Sequence, residues 1–323
     1  MNNIRQERKG RMIGLKMVST GSYLPPKRLT NDDLTKIVDT SDEWITTRTG
    51  IKERRICDAD TAVSMAAAAG ERALQSAGID KNQIGALVVT TFASELCTPS
   101  VASLVQRELG LAEDMPAFDV NAACSGFLYG LQVVRGLLLQ SERPYALIIA
   151  SETLSKVTDY TDRGTCILFG DGAGAAVVTL SSENRYYSVL GSRGNDELIH
   201  CGGPSAENRK LYMNGREVFR FAVEAIPHCI TDLLHKADLT MQDIDWVVCH
   251  QANKRIIDSA IKRLNADPEK FYVNLEKYGN TSSASIPIAL DEMNRQGLLR
   301  RGMKMICVGF GAGLTWAGVL LEW

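Results

Sequence analysis

The chain has 323 residues, of which 45% are hydrophobic and 23% charged, and its formal net charge is −2 at neutral pH. That much apolar content suits one large domain or two ordinary ones, and the near balance of charge offers no basic field for a nucleic acid. No apolar run approaches the roughly 20 residues that cross a bilayer, so neither a nucleic acid nor a membrane is an expected partner.

Met1–Arg11 is polar and basic but lacks the apolar core of a secretory signal. Residues 1–16 are set aside as an N-terminal tail, which could be native, appended or a misassigned start. From there, strand-like apolar runs alternate with amphipathic helical stretches. Ile84–Thr91 reads as a strand and Ser100–Leu109 as a helix. Asp119–Ala123 is a strand running into a helix over Ser125–Gln140, followed by strands at Tyr145–Ser151 and Gly170–Leu180. Ser181–Gly215 is rich in Gly, Asn, Ser and charge, which predicts loops. The order then recurs. Asp245–His250 is a strand, Lys254–Leu264 a helix, Phe271–Leu275 a strand and Ser283–Arg295 a helix, with closing strands at Lys304–Gly309 and Leu314–Leu321. This alternation predicts α/β layering around buried sheets. Phe169–Ala176 also looks like Phe310–Ala317, so residues 17–180 and 181–323 are expected to be duplicated halves. Ligands of α/β sheets gather at strand carboxyl ends. One shared pocket should then receive Cys124, His250 and the Gly279–Asn280 turn.

None of the eight cysteines forms a CxxC pair, so no metal site of that kind is expected. Several lie in apolar strands, as small hydrophobes do, which suits a reducing compartment such as the cytoplasm. Cys124 differs, because it follows a strand and small residues and starts a helix. The positive end of the helix dipole should lower its thiol pKa by about one unit, from about 8.5, leaving roughly a quarter as thiolate at neutral pH. His250 ends an apolar strand and opens a polar turn, whereas His200, His228 and His235 have no chemical neighbours in sequence. Asn280 sits in a tight turn of small residues and could equally be a plain turn or N-cap residue. Gly309–Gly313 allows close backbone approach to a ligand but lacks the Lys and Ser or Thr of a phosphate loop.

The motifs Thr40–Trp44, Arg48–Ile51, Ala122–Phe127, Asp162–Thr165, His250–Asn253, Gly279–Ser282 and Phe310–Gly313 together resemble the β-ketoacyl-acyl carrier protein synthase III family, from about Met17 to Trp323. The resemblance implies a thiolase-like α/β fold, with two duplicated halves forming a five-layered αβαβα core. It also implies an initiating condensing enzyme of fatty-acid synthesis, without a resident cofactor or metal. Its substrates would be acyl-CoA and malonyl-acyl carrier protein, and its state a homodimer. Cys124 would carry the acyl group, while the Cys124 and Ala312 N–H groups form the oxyanion hole. His250 and Asn280 would activate the malonyl thioester, with Phe310 and Leu168 lining the pocket. Trp44 and Arg163 would sandwich the CoA adenine and Arg48 its phosphates, with Asn253, Gly215 and Phe219 along the pantetheine arm. Arg220, Arg255, Lys262 and Arg263 would meet the acidic carrier protein, unless they are simply a solvated helix face.

One position departs from the pattern. Many members carry Phe before Pro99, capping the primer pocket across the dimer; here Thr98 stands there, leaving room for a branched or longer acyl group. The competing readings are a starter-unit synthase or acyltransferase on the same scaffold, a Cys-His-Asn thioester hydrolase, and a non-catalytic carrier-binding protein.

Overall fold

The computed structural model describes residues 13–323. Most of the expected tail lies outside the described residues, but its end does not. Strand β1 begins at Gly14, because Leu15 and Met17 point into the core, so the boundary expected at 17 moves back.

The first sheet comprises β1 (Gly14–Tyr23), β2 (Ile84–Thr90), β3 (Ala117–Val120), β4 (Tyr145–Glu152) and β5 (Gly172–Ser181), in the order β1-β5-β4-β2-β3. The second comprises β6 (Tyr186–Asn195), β7 (Trp246–Cys249), β8 (Lys304–Gly311) and β9 (Gly313–Glu322), ordered β6-β9-β8-β7. In the first sheet β3-β2 and β2-β4 are parallel and β4-β5 and β5-β1 antiparallel; in the second β7-β8 is parallel and β8-β9 and β9-β6 are antiparallel. A lone parallel bridge from Phe271 to Val247 stands where β3 stands in the first sheet. The two sheets thus share one strand order.

Six helices cover the sheets: α1 (Ala62–Ala77), α2 (Val101–Leu109), α3 (Gly126–Leu138), α4 (Gly215–Ala237), α5 (Lys254–Leu264) and α6 (Ser285–Arg295). Alternation along β2 decides the layering, since successive side chains leave opposite faces. Ala86 and Val88 face α3 and α6 in a central cluster that also takes Val248, Cys307 and Val319 from the second sheet. Leu87 and Val89 face the other way, onto α1 and α2. The opposite face of the second sheet packs on α4 and α5. Five layers follow, αβαβα, with α3 and α6 sandwiched in the middle. Each fully buried Leu, Ile or Phe there contributes about 1.5–3 kcal/mol of transfer free energy.

Two expectations are corrected. Ser181–Gly215 is not loop-dominated: β6 pairs along β9, and Ile199–Cys201 pairs with Leu211–Met213. Tyr186, Val189 and Leu190 pack into the cores, and these contacts outweigh the turn-like composition. Phe271–Leu275 forms no strand beyond its single bridge. There the buried Gln251 amide replaces a ladder, donating to Cys249 O and Tyr272 O and accepting from Asn274 N–H.

Candidate active site

β3 feeds Cys124 into a 3-10 turn, Ala123–Ser125, directly ahead of α3. Ala123 holds φ at +45°, a strained conformation for a residue with a Cβ. Asn121 Oδ1 braces the turn by accepting from Ala123 N–H at 3.1 Å. At the end of β7 is His250, and Asn280 follows Gly279, whose φ is +66°. Asn280 is held by its main chain between Leu168 and Gly170.

Cys124, His250, Asn280 and Phe310 line one cleft of about 410 Å³, and Arg48, Gly215, Arg216, Phe219, Asn253 and Arg255 line it as well. On another side of Cys124 lies a smaller chamber of about 250 Å³, lined by Phe92, Phe169, Ile199, Cys201, Leu211 and Ala312 among others. The thiol therefore stands between a cleft lined by three arginines and a smaller chamber lined by none.

Electrostatics fix the protonation states. Burial alone drives the His250 pKa down to about 3, so the ring is neutral. Its Nδ1 lies 2.7 Å from Ser285 Oγ, which accepts from Gln251 N–H at 3.3 Å. The Ser285 proton has no other acceptor among the described residues, so it goes to Nδ1, and the ring proton sits on Nε2. Asn280 Oδ1 accepts from Ser282 N–H at 2.8 Å, which leaves the Asn280 NH2 group free to donate. Cys124 corrects the expectation of a dipole-activated thiol. Burial pushes its pKa up to about 12, opposed by a hydrogen bond from Ser282 and reinforced by the charge of Glu152. Desolvation outweighs a dipole effect of about one unit.

The Gly309–Gly313 turn serves close approach. A Cβ at Gly311 would lie 2.7 Å from Cys124 N. Ala312 is not among the positive-φ residues, so its Cβ causes no backbone strain. Leu168 lines the cleft. Thr98 is exposed and lines neither cavity of its own chain.

At the cleft mouth the arrangement differs from an open adenine slot. The guanidinium carbons of Arg48 and Arg163 lie 4.4 and 4.7 Å from the Trp44 ring centroid, and Arg163 also donates to Asp39 O. Arg163 therefore covers the ring face that an adenine would need. Among the expected docking residues, Arg255 lies over the Phe219 ring and Arg220 pairs with Glu217. Lys262 and Arg263 are exposed at the end of α5.

Sequence reasoning missed Ser282, Ser285 and Glu152. Glu152 was findable as an acid closing an otherwise apolar strand, and the two serines as members of a small-residue turn repeating the one around Cys124. Among the described residues no group of three or more His, Cys, Asp or Glu side chains could hold a metal, and no helix is long and apolar enough to cross a membrane.

Two family profiles match the chain: 3-oxoacyl-[acyl-carrier-protein] synthase III over residues 118–194, and the C-terminal region of the same enzymes over 234–323. The β-ketoacyl-[acyl-carrier-protein] synthase III of Clostridium acetobutylicum is 44% identical, covering 97% of this chain and 99% of its own length. Among solved structures, the 3-oxoacyl-[acyl-carrier-protein] synthase III of Aquifex aeolicus aligns with a TM-score of 0.92 at 43% identity, over 96% of this chain and all (100%) of its own. The priming β-ketosynthase of the R1128 polyketide pathway aligns at 0.89 with 37% identity, covering 96% of each chain.

Proposed function

The chain belongs to the 3-oxoacyl-[acyl-carrier-protein] synthase III family, the initiating condensing enzymes of fatty-acid synthesis, and we propose that Cys124, His250 and Asn280 carry its chemistry. The main support is the convergence of a nucleophile, a neutral His and an Asn with a free NH2 group on one cleft.

In this reading the Cys124 thiolate attacks an acyl-CoA thioester. The tetrahedral oxyanion is held by the N–H groups of Cys124 and Ala312, a donor pair of the kind worth about 10²–10³ in rate per member. CoA leaves, and the acyl chain occupies the smaller chamber. Malonyl-acyl carrier protein then enters the basic cleft. His250 Nε2–H and the Asn280 NH2 group donate to the thioester carbonyl and stabilise the enolate as CO2 departs, which requires His250 uncharged. The carbanion attacks acyl-Cys124 and gives 3-oxoacyl-acyl carrier protein. Phe310, edge-on to His250 at 5.3 Å, shields the acyl-enzyme from water.

CoA is held with its phosphates near Arg48 and its pantetheine along Gly215, Phe219 and Asn253. Adenine stacks on Trp44 once Arg163 has swung off the ring. Arg220, Arg255, Lys262 and Arg263 form the carrier-protein face. The enzyme acts in the cytoplasm without a resident cofactor or metal, and its halves meet near residue 180. It works as a homodimer in which the exposed Leu96–Thr98 segment reaches the partner's primer chamber. A starter-unit role outside fatty-acid synthesis is the second reading, favoured by the likeness to the R1128 priming synthase.

The test is release of labelled CO2 from malonyl-acyl carrier protein with an acyl-CoA primer. Cys124→Ala should abolish condensation yet keep slow decarboxylation, whereas Asn280→Ala should suppress decarboxylation and still accept the acyl group. The reverse pattern would exchange the assigned roles.

A further inference from the structure

The two N–H groups assigned to the oxyanion hole come from different sheets. Cys124 lies in the turn between β3 of the first sheet and α3, and Ala312 is the single residue joining β8 to β9 in the second. No ladder or helix runs from one to the other, so their separation is set by contacts between the turns. Those turns come close: a Cβ on Gly309 would lie 3.3 Å from Cys124 O, and one on Gly311 would lie 2.7 Å from Cys124 N. Packing of that kind limits approach, whereas a hydrogen bond also fixes direction.

Thr315 supplies such a bond. It sits in β9 opposite Gly311 and is buried. Its Oγ1 lies 3.0 Å from Ala312 O, 3.2 Å from Ala122 O and 3.2 Å from Ser125 Oγ. Ala122 and Ser125 stand on either side of Cys124, so one hydroxyl touches both turns. Among the described residues no other side-chain hydrogen bond joins Ala122–Gly126 to Gly309–Thr315.

Counting protons gives this contact a direction. Ala122 O already accepts from Ser125 N–H at 3.1 Å. Ser125 Oγ is completely buried and has no partner besides Thr315 among the described residues. Were Thr315 to donate to it, the Ser125 proton would be buried without an acceptor, which costs more than a typical bond contributes. Ser125 therefore donates to Thr315 Oγ1, and the Thr315 proton goes to Ala312 O, the nearer carbonyl. The chain runs from the residue after the nucleophile to the residue that supplies the second donor.

We infer that Thr315 is a positioning residue for acyl transfer, its hydroxyl holding the Ala312 turn against the Cys124 turn so that both N–H groups meet one oxyanion. The inference rests on Cys124 as nucleophile and on those two N–H groups as the oxyanion donors. Thr315 lines neither cavity, so it acts through the donors rather than on the substrate. It matters wherever a carbonyl on Cys124 becomes tetrahedral: in acylation, and again when the carbanion attacks the acyl group. Activation of the malonyl thioester uses His250 and Asn280, which this brace does not touch.

The test is Thr315→Val, which keeps the branched shape and removes the hydroxyl, read by single-turnover acylation of the full-length protein with acetyl-CoA and isobutyryl-CoA. Losing an oxyanion donor outright costs about 10²–10³ in rate. A misplacement of about 1 Å can cost about 10²-fold, so loss of the brace should slow acylation at least about tenfold. Two reactions that build no tetrahedral centre on Cys124 serve as controls: alkylation of the thiol by iodoacetamide, and CO2 release from malonyl-acyl carrier protein. Both should be unchanged. Thr315→Ser restores the hydroxyl without the methyl and should recover most of the acylation rate. Ser125→Ala removes only the first link and should slow acylation by a smaller factor, which keeps the test open if the Val variant folds poorly. Acylation of Thr315→Val at the unmodified rate would overturn the inference. So would a parallel fall in alkylation or decarboxylation, or a Thr315→Ser variant as slow as Thr315→Val. Condensation persisting in Cys124→Ala would instead sink the reading on which the inference rests.

Discussion

Gln251→Ala tests how the fold aims the site. The Gln251 side chain is fully buried and makes three main-chain hydrogen bonds, at 2.8 Å to Cys249 O, 3.1 Å to Tyr272 O and 3.0 Å from Asn274 N–H. These bonds tie the end of β7, which carries His250, to the segment leading through the Leu275–Tyr278 turn to Asn280. Truncation leaves two carbonyls and one N–H without partners, each costing about 1–3 kcal/mol when buried. The expected loss is therefore about 3 kcal/mol or more, a large share of the 5–15 kcal/mol typical of a folded domain. Urea unfolding measures it. Decarboxylation of malonyl-acyl carrier protein should fall further than acylation of Cys124, because Asn280 loses its placement while the Cys124 turn is untouched. A loss below about 1 kcal/mol, or equal reductions in both half-reactions, would refute the account of Gln251 as a substitute strand.

Gly311→Ala places a Cβ 2.7 Å from Cys124 N, and acylation should drop about 10²-fold, as for loss of one oxyanion donor; a drop under tenfold in single-turnover acylation counts against that geometry. Ser285→Ala removes the group that sets the His250 tautomer and should lower decarboxylation about tenfold with acylation spared, whereas parallel losses would contradict it. With its pKa held near 3, His250 should keep neutral, Nε2-protonated ring signals in NMR from pH 5 to 8. The unfolded chain takes up that proton near 6.5, so this residue's effect on stability is full above 6.5 and is lost as pH falls toward 3; a native-state titration near 6.5 would refute the assignment. In a primer panel, branched or medium-chain acyl-CoA should support turnover under the proposal that Thr98 caps the partner's chamber, and strict acetyl-CoA use would rule that out.

Much of the layering was legible because each core strand is an apolar run, and each core helix has a face of matching period. β6 was not, since its residues gain strand conformation from β9, which lies more than a hundred residues later in the chain. Phe271–Leu275 misled in the opposite direction: its apolar pattern reads as a strand, but Gln251 takes up the hydrogen bonds a ladder would have used. Cys124, His250 and Asn280 stood out by their positions at strand ends, and the cleft gathers them. The thiol's protonation was unreadable, because desolvation depends on neighbours from both halves. Glu152 and Ser282 are 130 positions apart, so nothing local pairs them.

The two helix entries at the centre of the molecule bear directly on why one carries the thiol. Asn121–Gly126 and Asn280–Ser285 make the same turn: an Asn whose Oδ1 accepts from the N–H two residues on, a residue at φ +45° or +50°, a 3-10 turn and then α3 or α6. They meet closely enough that a Cβ on Gly126 would lie 3.2 Å from Ser283 Cβ. Cys124 and Ser283 hold equivalent places. Had both carried thiols, the second would have replaced the Ser283 hydroxyl that donates to Glu152 at 2.8 Å. With Ser283 there instead, the second turn anchors the carboxylate through two hydroxyls and leaves the Asn280 NH2 group free. The two turns thus share a backbone and differ in the side chains it presents, a thiol from one and a hydroxyl bonded to Glu152 from the other.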